Sequence, residues 1–367
     1  MITLISFVLI LGVLVLVHEL GHFLTARKLG VDVEEFAIGF PPKLFSIKRK
    51  GIVYSINLIP VGGFVKIKGE SGDHADDPHS FANQAAWKRA AILSAGVGMN
   101  FVLAIIALSV GFYFGLPQAL SDNMGDVQIS QRSIMIVEVS SNSVAAENDL
   151  QVTDEILTVN GVSMENSDMV YEAIDEHRYD EMEFLIARAG EEKTINLTPG
   201  NLEGYEKPVV GIGMLDTGVV SYGFFESIGQ GLKATGIMAV RIVQAFGNLI
   251  GTLFSEGRLS AEVSGPVGVA VLTGKFVKMG WIYILQFMAI LSINLAVINI
   301  LPFPALDGGR LLFVGIEKIR GHKLNEKVEG WMHNSGFILL MGLIIFITFR
   351  DFMRYGGGIW TAIKNLF

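Results

Sequence analysis

The sequence contains no cysteine, which excludes disulfide bonds and thiolate metal ligands. Charged residues are also scarce, at 17% of 367 residues, whereas 51% are hydrophobic. This balance is too apolar for an ordinary soluble globule and indicates a membrane protein with an attached polar part. The net charge of −8 gives no reason to expect nucleic-acid binding. Any bound metal must therefore be held by His, Asp or Glu side chains.

A metal-binding motif lies within the first hydrophobic stretch. Residues 1–26 carry a single formal charge, Glu19, which stands between His18 and His22 in the pattern HExxH. On a helix, two histidines at this spacing share one face and can hold one zinc ion, with the glutamate as general base. Ionisable residues are costly inside a membrane and are typical of functional sites. The stretch lacks the basic start of a signal peptide, so we expect it to be retained.

Four stretches predict membrane-spanning helices, each close to the roughly 20 residues that cross the hydrocarbon core. Residues 235–254 are also apolar, but Arg241 and an amphipathic periodicity favour a helix lying on the membrane surface. The predicted organisation is 1–26 (first span), 27–90 (cytoplasmic loop with a β-region), 91–116 (second span), 117–218 (external domain), 219–281 (external linker with the surface helix), 282–309 (third span), 310–329 (cytoplasmic segment), 330–349 (fourth span) and 350–367 (external tail).

The loop charges orient these spans. Residues 27–89 hold 10 Lys/Arg and 7 Asp/Glu, whereas residues 117–281 hold 10 Lys/Arg and 23 Asp/Glu. Basic residues close to span ends favour the cytoplasmic side, so the first loop is predicted inside and the second outside. Arg350 and Arg354 then lie outside, against the same rule.

Two histidines leave a catalytic zinc site one ligand short, because three protein ligands plus water is usual. Position 28 is lysine, so the extended motif of soluble metzincins is absent. Asp307 is the better candidate, since Pro302 and Pro304 interrupt the helix before it and two glycines follow it. With four spans, Asp307 reaches the same membrane face as the histidines. A spanning helix over 235–254 would move it to the opposite face, so the missing ligand favours the surface helix.

Several segments in this order resemble the site-2 protease family of intramembrane zinc metalloproteases. They are the HExxH at 18–22, Gly-Phe-Pro at 39–41, the segment 60–70, Ser-Gly-Pro-Val-Gly at 264–268, and the segment 299–309 with Asn299, Pro302 and Asp307. The resemblance implies an α-helical polytopic membrane protein with four transmembrane helices, a membrane-associated β-hairpin or sheet, and one external α+β PDZ-like domain. The best-known members carry two tandem PDZ domains, whereas 117–216 has room for about one.

The external region contains the pattern that resembles a PDZ domain. Residues 143–161 predict a short helix, a turn and a strand, with Thr153 where the PDZ pattern usually has glycine. Residues 134–139 predict a strand and Ser167–Glu176 a helix beside a groove. Such a domain can bind a peptide as an added strand or can exclude bulky substrates by its size, and both roles stay open here.

The resemblance also assigns the site. One Zn²⁺ per chain is expected on His18, His22 and Asp307, with Glu19 as catalytic base. Asn299 is expected to contact substrate near the metal. Residues 52–67 are either a plain cytoplasmic hairpin or a re-entrant β-loop whose edge pairs with unwound substrate. The expected substrate-binding residues are Asn299, Pro302, Gly62, Gly63, Phe64, Val65, Lys66 and Ile67.

The activity implied is a zinc-dependent intramembrane endopeptidase in the bacterial cytoplasmic (inner) membrane, with its site near the cytoplasmic side. Its expected partners are single-pass membrane substrates, such as an anti-sigma factor or remnant signal peptide, membrane lipid, and a peptide ligand of the external domain. A metal transporter is one alternative, but it needs further polar residues along several spans. An inactive PDZ-bearing scaffold is another, but a scaffold has no use for Glu19.

Overall fold

A computed structural model describes residues 2–70, 76–120, 128–188, 190–256, 265–322 and 325–364. The chain divides into two compact units. The first, here called the membrane unit, comprises Met1–Ser109 and Ile228–Phe367. The second, here called the external unit because it contains the predicted external domain, comprises Val110–Ser227.

The helices in the described residues are α1 (Ile2–Lys28), α2 (Ala86–Phe114), α3 (Val144–Glu147), α4 (Ser167–Glu176), α5 (Phe224–Glu256), α6 (Pro266–Met279), α7 (Trp281–Ile300), α8 (Asp307–Arg320) and α9 (Glu326–Lys364). The strands are β1 (Val33–Arg49), β2 (Ile52–Ile67), β3 (Leu116–Ala119), β4 (Gln128–Val139), β5 (Glu155–Val159), β6 (Val162–Ser163), β7 (Met182–Arg188), β8 (Glu191–Leu197) and β9 (Ile212–Ser221).

Five helices in the described parts of the chain are long and apolar enough to cross a membrane, namely α1, α2, α5, α7 and α9. Four of them overlap the predicted spans, and the fifth is the predicted surface helix. The helix of the third span ends at Ile300, because Pro302 and Pro304 cannot continue it. The expected tail after residue 349 is helical to Lys364, since nothing in that stretch removes a backbone donor as proline does.

The contacts within the membrane unit give the directions of its helices. Ile10 and Leu14, in the first half of α1, pack with Phe287 in the first half of α7, so these two helices run the same way. Helix α2 runs against them, because Ile92 near its start bonds to His22 and Asn100 further along bonds to His18.

Helix α6 is fixed to the beginning of α1 and the middle of α9. A Cβ at Gly274 would touch Thr3, and one at Gly265 would touch Ile347 and Asp351. Gly265 has no side chain to cap α6, and the Asp351 carboxylate instead accepts from the N–H of Gly268 at 2.7 Å. The Gly-Pro-Val-Gly motif, whose Ser264 lies outside the described residues, therefore begins a helix capped from α9.

Strands β1 and β2 each bend back, so the hairpin forms a sheet of four paired segments. Residues 33–38 pair with 63–67 on one side and with 53–56 on the other, and 43–49 pair with 52–57. Segment 63–67 thus has a partner on one side only among the described residues. The sequence predicted β2 but did not predict β1. Many apolar side chains of this sheet are exposed, including Phe40, Leu44, Phe45, Ile47, Leu58 and Ile59.

The external unit contains an antiparallel sheet in the order β3-β9-β4-β5-β7-β8, with β6 paired to β5. Its core includes the fully buried Ile134, Ile136, Phe184 and Ile186. The predicted helix over Ser167–Glu176 is confirmed as α4, capped by the Asn166 side chain. The predicted strand over 134–139 is confirmed as the end of β4.

A buried ion pair fixes the turn between α3 and β5. The Asp154 carboxylate is fully buried and accepts from Nε and Nη2 of Arg188, both at 2.7 Å. Such a bidentate pair compensates the cost of burying the charge. Hydrogen bonds from Lys193, Gln151 and Arg188 keep the pKa of the exposed Asp149 well below its usual value. The turn is therefore held by charge on both its buried and its exposed sides.

Thr153 in this turn has a backbone φ of +82°, a conformation that suits glycine and strains a β-branched residue. We predict that Thr153→Gly raises the stability of the external unit by about 1 kcal/mol, because relief of the strain exceeds the added chain entropy. Thermal unfolding of the full chain measures this. Thr153→Ala, which keeps the Cβ, should gain less, and a lower melting temperature for Thr153→Gly would contradict the strain.

Candidate active site

Three potential ligands converge where α1 passes the start of α8. The Nε2 atoms of His18 and His22 lie 3.2 Å apart. Oδ2 of Asp307 lies 3.1 Å from the first and 3.3 Å from the second. Both histidines are buried and the Asp307 side chain is 21% exposed. The structure thus brings together the three residues that the sequence predicts as metal ligands.

Hydrogen bonds orient both imidazoles through their other nitrogen. His22 Nδ1 lies 2.9 Å from the carbonyl oxygen of Ile92, so it carries the proton and donates. His18 Nδ1 lies 3.1 Å from the side-chain amide of Asn100. With the proton on Nδ1, each Nε2 presents a lone pair to the common centre, as metal-binding histidines do.

This arrangement matches a metal ion. Nε2, Nε2 and Oδ2 are three acceptor atoms in mutual contact, and Asp307 Oδ2 is buried without a hydrogen-bond donor among the described residues. Three facing lone pairs repel one another unless a cation lies between them. The three atoms are close enough together that one cation could bind to all of them, and two imidazole nitrogens with a carboxylate oxygen are a ligand set that zinc accepts.

Glycines let the surrounding helices approach the imidazoles. A Cβ added at Gly96 on α2 would overlap the rings of both His18 and His22, and one at Gly21 on α1 would overlap the backbone of Ala95. Gly308 and Gly309 begin α8 directly against the carbonyls of Ile300 and Phe303. Any larger side chain at these positions would move a ligand.

Glu19 and the edge of the small sheet border the same cavity. Oε2 of Glu19 accepts from the backbone N–H of Val65 at 3.0 Å, so this N–H points away from β1 and toward the site. The cavity has a volume of about 220 Å³. It is lined by His18, Glu19, His22, Phe64, Val65, Ile67, Glu70, Ile92, Leu93, Ala305, Leu306, Asp307, Arg310 and His333. A carboxylate, a free strand edge and the three ligands therefore share one space.

The other residues that were predicted to bind substrate differ in their positions relative to the cavity. Gly62 and Gly63 are buried beside the cavity lining, and the Lys66 ammonium pairs with Glu34 on β1. The amide of Asn299 lies 3.5 Å from His18 Nε2. Pro302 is exposed and outside the cavity lining. Its position supports the break after α7 but shows no direct access to the site.

Sequence reasoning missed two groups beside the site. One is Asn100, a polar residue in the uncharged second span, where an isolated amide is itself a signal. Arg310, three residues after Asp307, forms an ion pair with Glu70 and lies 3.3 Å from Nε2 of His333. This second group connects the end of β2 with α8 and α9. Only the fold brings these three distant residues together.

Comparison with known proteins assigns the chain to a class of enzymes. A family model described as peptidase family M50 matches residues 6–343. Zinc metalloprotease RasP of Bacillus licheniformis is 31% identical over 433 aligned residues, covering 96% of this chain and 99% of that one. Regulator of sigma-W protease RasP of Bacillus subtilis is 30% identical, covering 96% and 98%. The same name is carried by a Geobacillus kaustophilus protein that is also 30% identical.

The chain belongs to peptidase family M50, the site-2 protease family of zinc metalloproteases. It is a metalloprotease whose cofactor is Zn²⁺, and its apolar helices make it a multi-pass membrane protein. The predictions of family, enzyme class and cofactor from the sequence are confirmed.

The packing of Gly96 gives a direct test of the site geometry. We predict that Gly96→Ala lowers zinc content severalfold, because the added methyl displaces the His22 ring. Gly98→Ala is the matched control, since a Cβ at Gly98 meets nothing within 4 Å. Elemental analysis of both purified variants measures zinc per chain. Equal, full occupancy in the two variants would show that the imidazoles lie elsewhere.

Proposed function

We propose that this protein is an intramembrane endopeptidase that cleaves the transmembrane segments of single-pass membrane proteins near the cytoplasmic side. The observation that carries the proposal is the single cavity that joins His18, His22, Asp307, Glu19 and the edge of β2. A metal site alone supports many hydrolases. A metal site beside a strand edge that has no second strand partner among the described residues supports hydrolysis of an extended peptide.

Each residue of the site has a proposed role in this reaction. His18, His22 and Asp307 hold the zinc, which when bound supplies a Lewis acid for the scissile carbonyl and lowers the pKa of water. Glu19 takes a proton from the attacking water and returns it to the leaving amine. The Val65 N–H donates a hydrogen bond to this carboxylate and so orients it. Asn299, 3.5 Å from His18 Nε2, is placed to contact the substrate backbone.

The strand edge offers a way to hold an unwound substrate, and the need to unwind is the main obstacle to cleaving a membrane helix. Each carbonyl of such a helix is bonded within the helix, so the segment must unwind before it is attacked. Residues 63–67 pair with β1 on one side and offer the outward N–H of Val65 on the other. An unwound substrate paired here replaces its lost helical bonds with backbone bonds that do not depend on its side chains.

The packing of α6 supports four spans with α5 on the outer surface. Pro304 contacts Gly336 and Gly265 contacts Asp351, which is 15 residues further along α9. At 1.5 Å per residue this places the start of α6 roughly 22 Å from the site. Gly274, midway along α6, faces Thr3, which is 15 residues before His18 and so about 22 Å away as well. The start and the middle of α6 thus share the level of the α1 start, which supports an α5 that leaves and returns on that face.

The external unit supports a peptide-binding role as well as a blocking one. Strand β9 pairs with β4 along its length, but β3 covers it only from Thr217 to Val220. Among the described strands, the Ile212–Leu215 part of β9 has no second partner. This edge allows a peptide to add as a strand, as PDZ domains do. We infer that this part of the domain receives the end of a trimmed substrate.

The substrate class rests on the relatives. One of them is named a regulator of sigma-W protease, which supports a membrane-bound regulator such as an anti-sigma factor as substrate. A remnant signal peptide offers the same chemistry, a single apolar helix with little mass outside the membrane. A transporter reading is disfavoured because the ligands lie at the end of one cavity, with the base beside them.

Replacing the base tests the reaction. We predict that Glu19→Gln keeps zinc and lowers cleavage by about 10²–10⁴-fold, because the amide cannot accept the proton. The assay uses the full chain in liposomes with a panel of single-pass membrane proteins, with and without a zinc chelator. Undiminished cleavage by Glu19→Gln would refute the assignment, and chelator-resistant cleavage by wild type would point to a contaminating protease.

The strand edge has its own test. We predict that Val65→Pro lowers kcat/KM for a membrane substrate roughly tenfold or more, because it removes the outward N–H of the edge. Val65→Ala is the control, since it shortens the side chain and keeps the N–H. Zinc content should be equal in both. If the proline variant cleaves as well as the alanine variant, substrate does not pair at this position.

A further inference from the structure

Asn100 is the residue next to the site that the reaction above leaves without a role. It lies on α2 and is fully buried, with a relative exposure of 0%. Its side-chain Nδ2 is placed 3.1 Å from Nδ1 of His18, and its Oδ1 has no hydrogen-bond partner among the described residues. A buried polar amide in an otherwise apolar span is costly unless both its groups are used.

The chemistry of His18 decides which way this amide points. A neutral imidazole that gives the lone pair of Nε2 to a metal carries its proton on Nδ1 and needs an acceptor there. An NH₂ group facing that proton would set two donors against each other. The oxygen and nitrogen of an amide have nearly the same shape, so the two orientations fill the same space. Only the orientation with Oδ1 toward His18 provides the acceptor.

The position of Asn100 is fixed from the opposite side. Ser292 on α7 donates its hydroxyl hydrogen to the backbone carbonyl of Asn100 at 2.8 Å, and Ser292 is itself fully buried. Helix α7 precedes the segment that ends at Asp307. This hydrogen bond therefore fixes the position of Asn100 relative to the helix that leads to the third ligand. His18 contacts no other partner through Nδ1 in the described part of the chain.

We propose that Asn100 is a positioning residue for the metal, whose side-chain oxygen accepts the Nδ1 proton of His18 and holds Nε2 in the ligand position. This inference rests on the proposed function, because it takes His18 as a ligand. Outer partners of this kind commonly change metal affinity 10–100-fold. The expected effect of losing the oxygen is therefore on zinc binding itself, before any effect on cleavage.

The experiment measures the zinc dissociation constant of the full chain in detergent by competition with a chromogenic chelator. Asn100→Leu, which removes the acceptor at similar size, is expected to bind zinc 10–100-fold more weakly. Asn100→Asp keeps an oxygen at the same place and is expected to bind at least as tightly as wild type, because a carboxylate is the stronger acceptor. Thermal unfolding of the zinc-free variants verifies that each is folded.

Two controls separate the possible failures. Asn294→Leu changes the same residue type on α7, where the amide bonds only to Ile290 of its own helix, and zinc affinity should stay at the wild-type value. His18→Ala tests the ligand set, and unchanged affinity in it would overturn the proposed site. If His18→Ala loses zinc but Asn100→Leu does not, the positioning role is wrong. Equal losses in Asn100→Leu and Asn100→Asp would show a packing role and overturn it as well.

Discussion

Three lone pairs directed at one point are the constraint on which the membrane unit depends. Nε2 of His18, Nε2 of His22 and Oδ2 of Asp307 approach within 3.1–3.3 Å, although they repel one another without a cation. Holding them there requires α1 and α7 side by side in the same direction. It also requires that α2 lie close enough to form a hydrogen bond with Nδ1 of each imidazole. The close glycine contacts, the broken helix after Ile300 and the capped start of α6 are all consistent with that requirement.

Much of this site follows from the sequence because its parts are local. Two histidines one turn apart define a face of a helix wherever the helix lies. The proline pair after Ile300 likewise predicts a break in the helix. The glycine pair after Asp307 predicts a close approach of the backbone, and neither prediction requires knowledge of neighbouring elements. The same holds for α4, which a capping asparagine and an amphipathic run specify completely.

The features that could not be predicted from the sequence depend mainly on contacts between residues far apart in the chain. Strand β1 was not predicted because Gly39, Pro41 and Pro42 interrupt its middle, and residues of these types argue against a continuous strand when only the sequence is considered. Asn100 and the pair of Glu70 with Arg310 gain meaning only from partners 82 and 240 positions away. The predicted boundaries of the fourth span differ from those of α9 for another reason. An apolar stretch of sequence shows which residues can lie in the hydrocarbon core, but it does not show where the helix stops.

The bond between Glu19 and Val65 connects the base with the substrate site. The same N–H that holds the carboxylate is the outward donor of the strand edge, so an added substrate strand competes with Glu19 for it. In the structure this hydrogen bond holds the carboxylate against the strand edge, within the same cavity as the three ligands. When a substrate carbonyl takes the N–H, the carboxylate is released toward water in the same cavity. On the proposed function, the base is therefore released where an extended peptide lies beside it, a property suited to a protease whose surroundings contain many intact helices and few unwound ones.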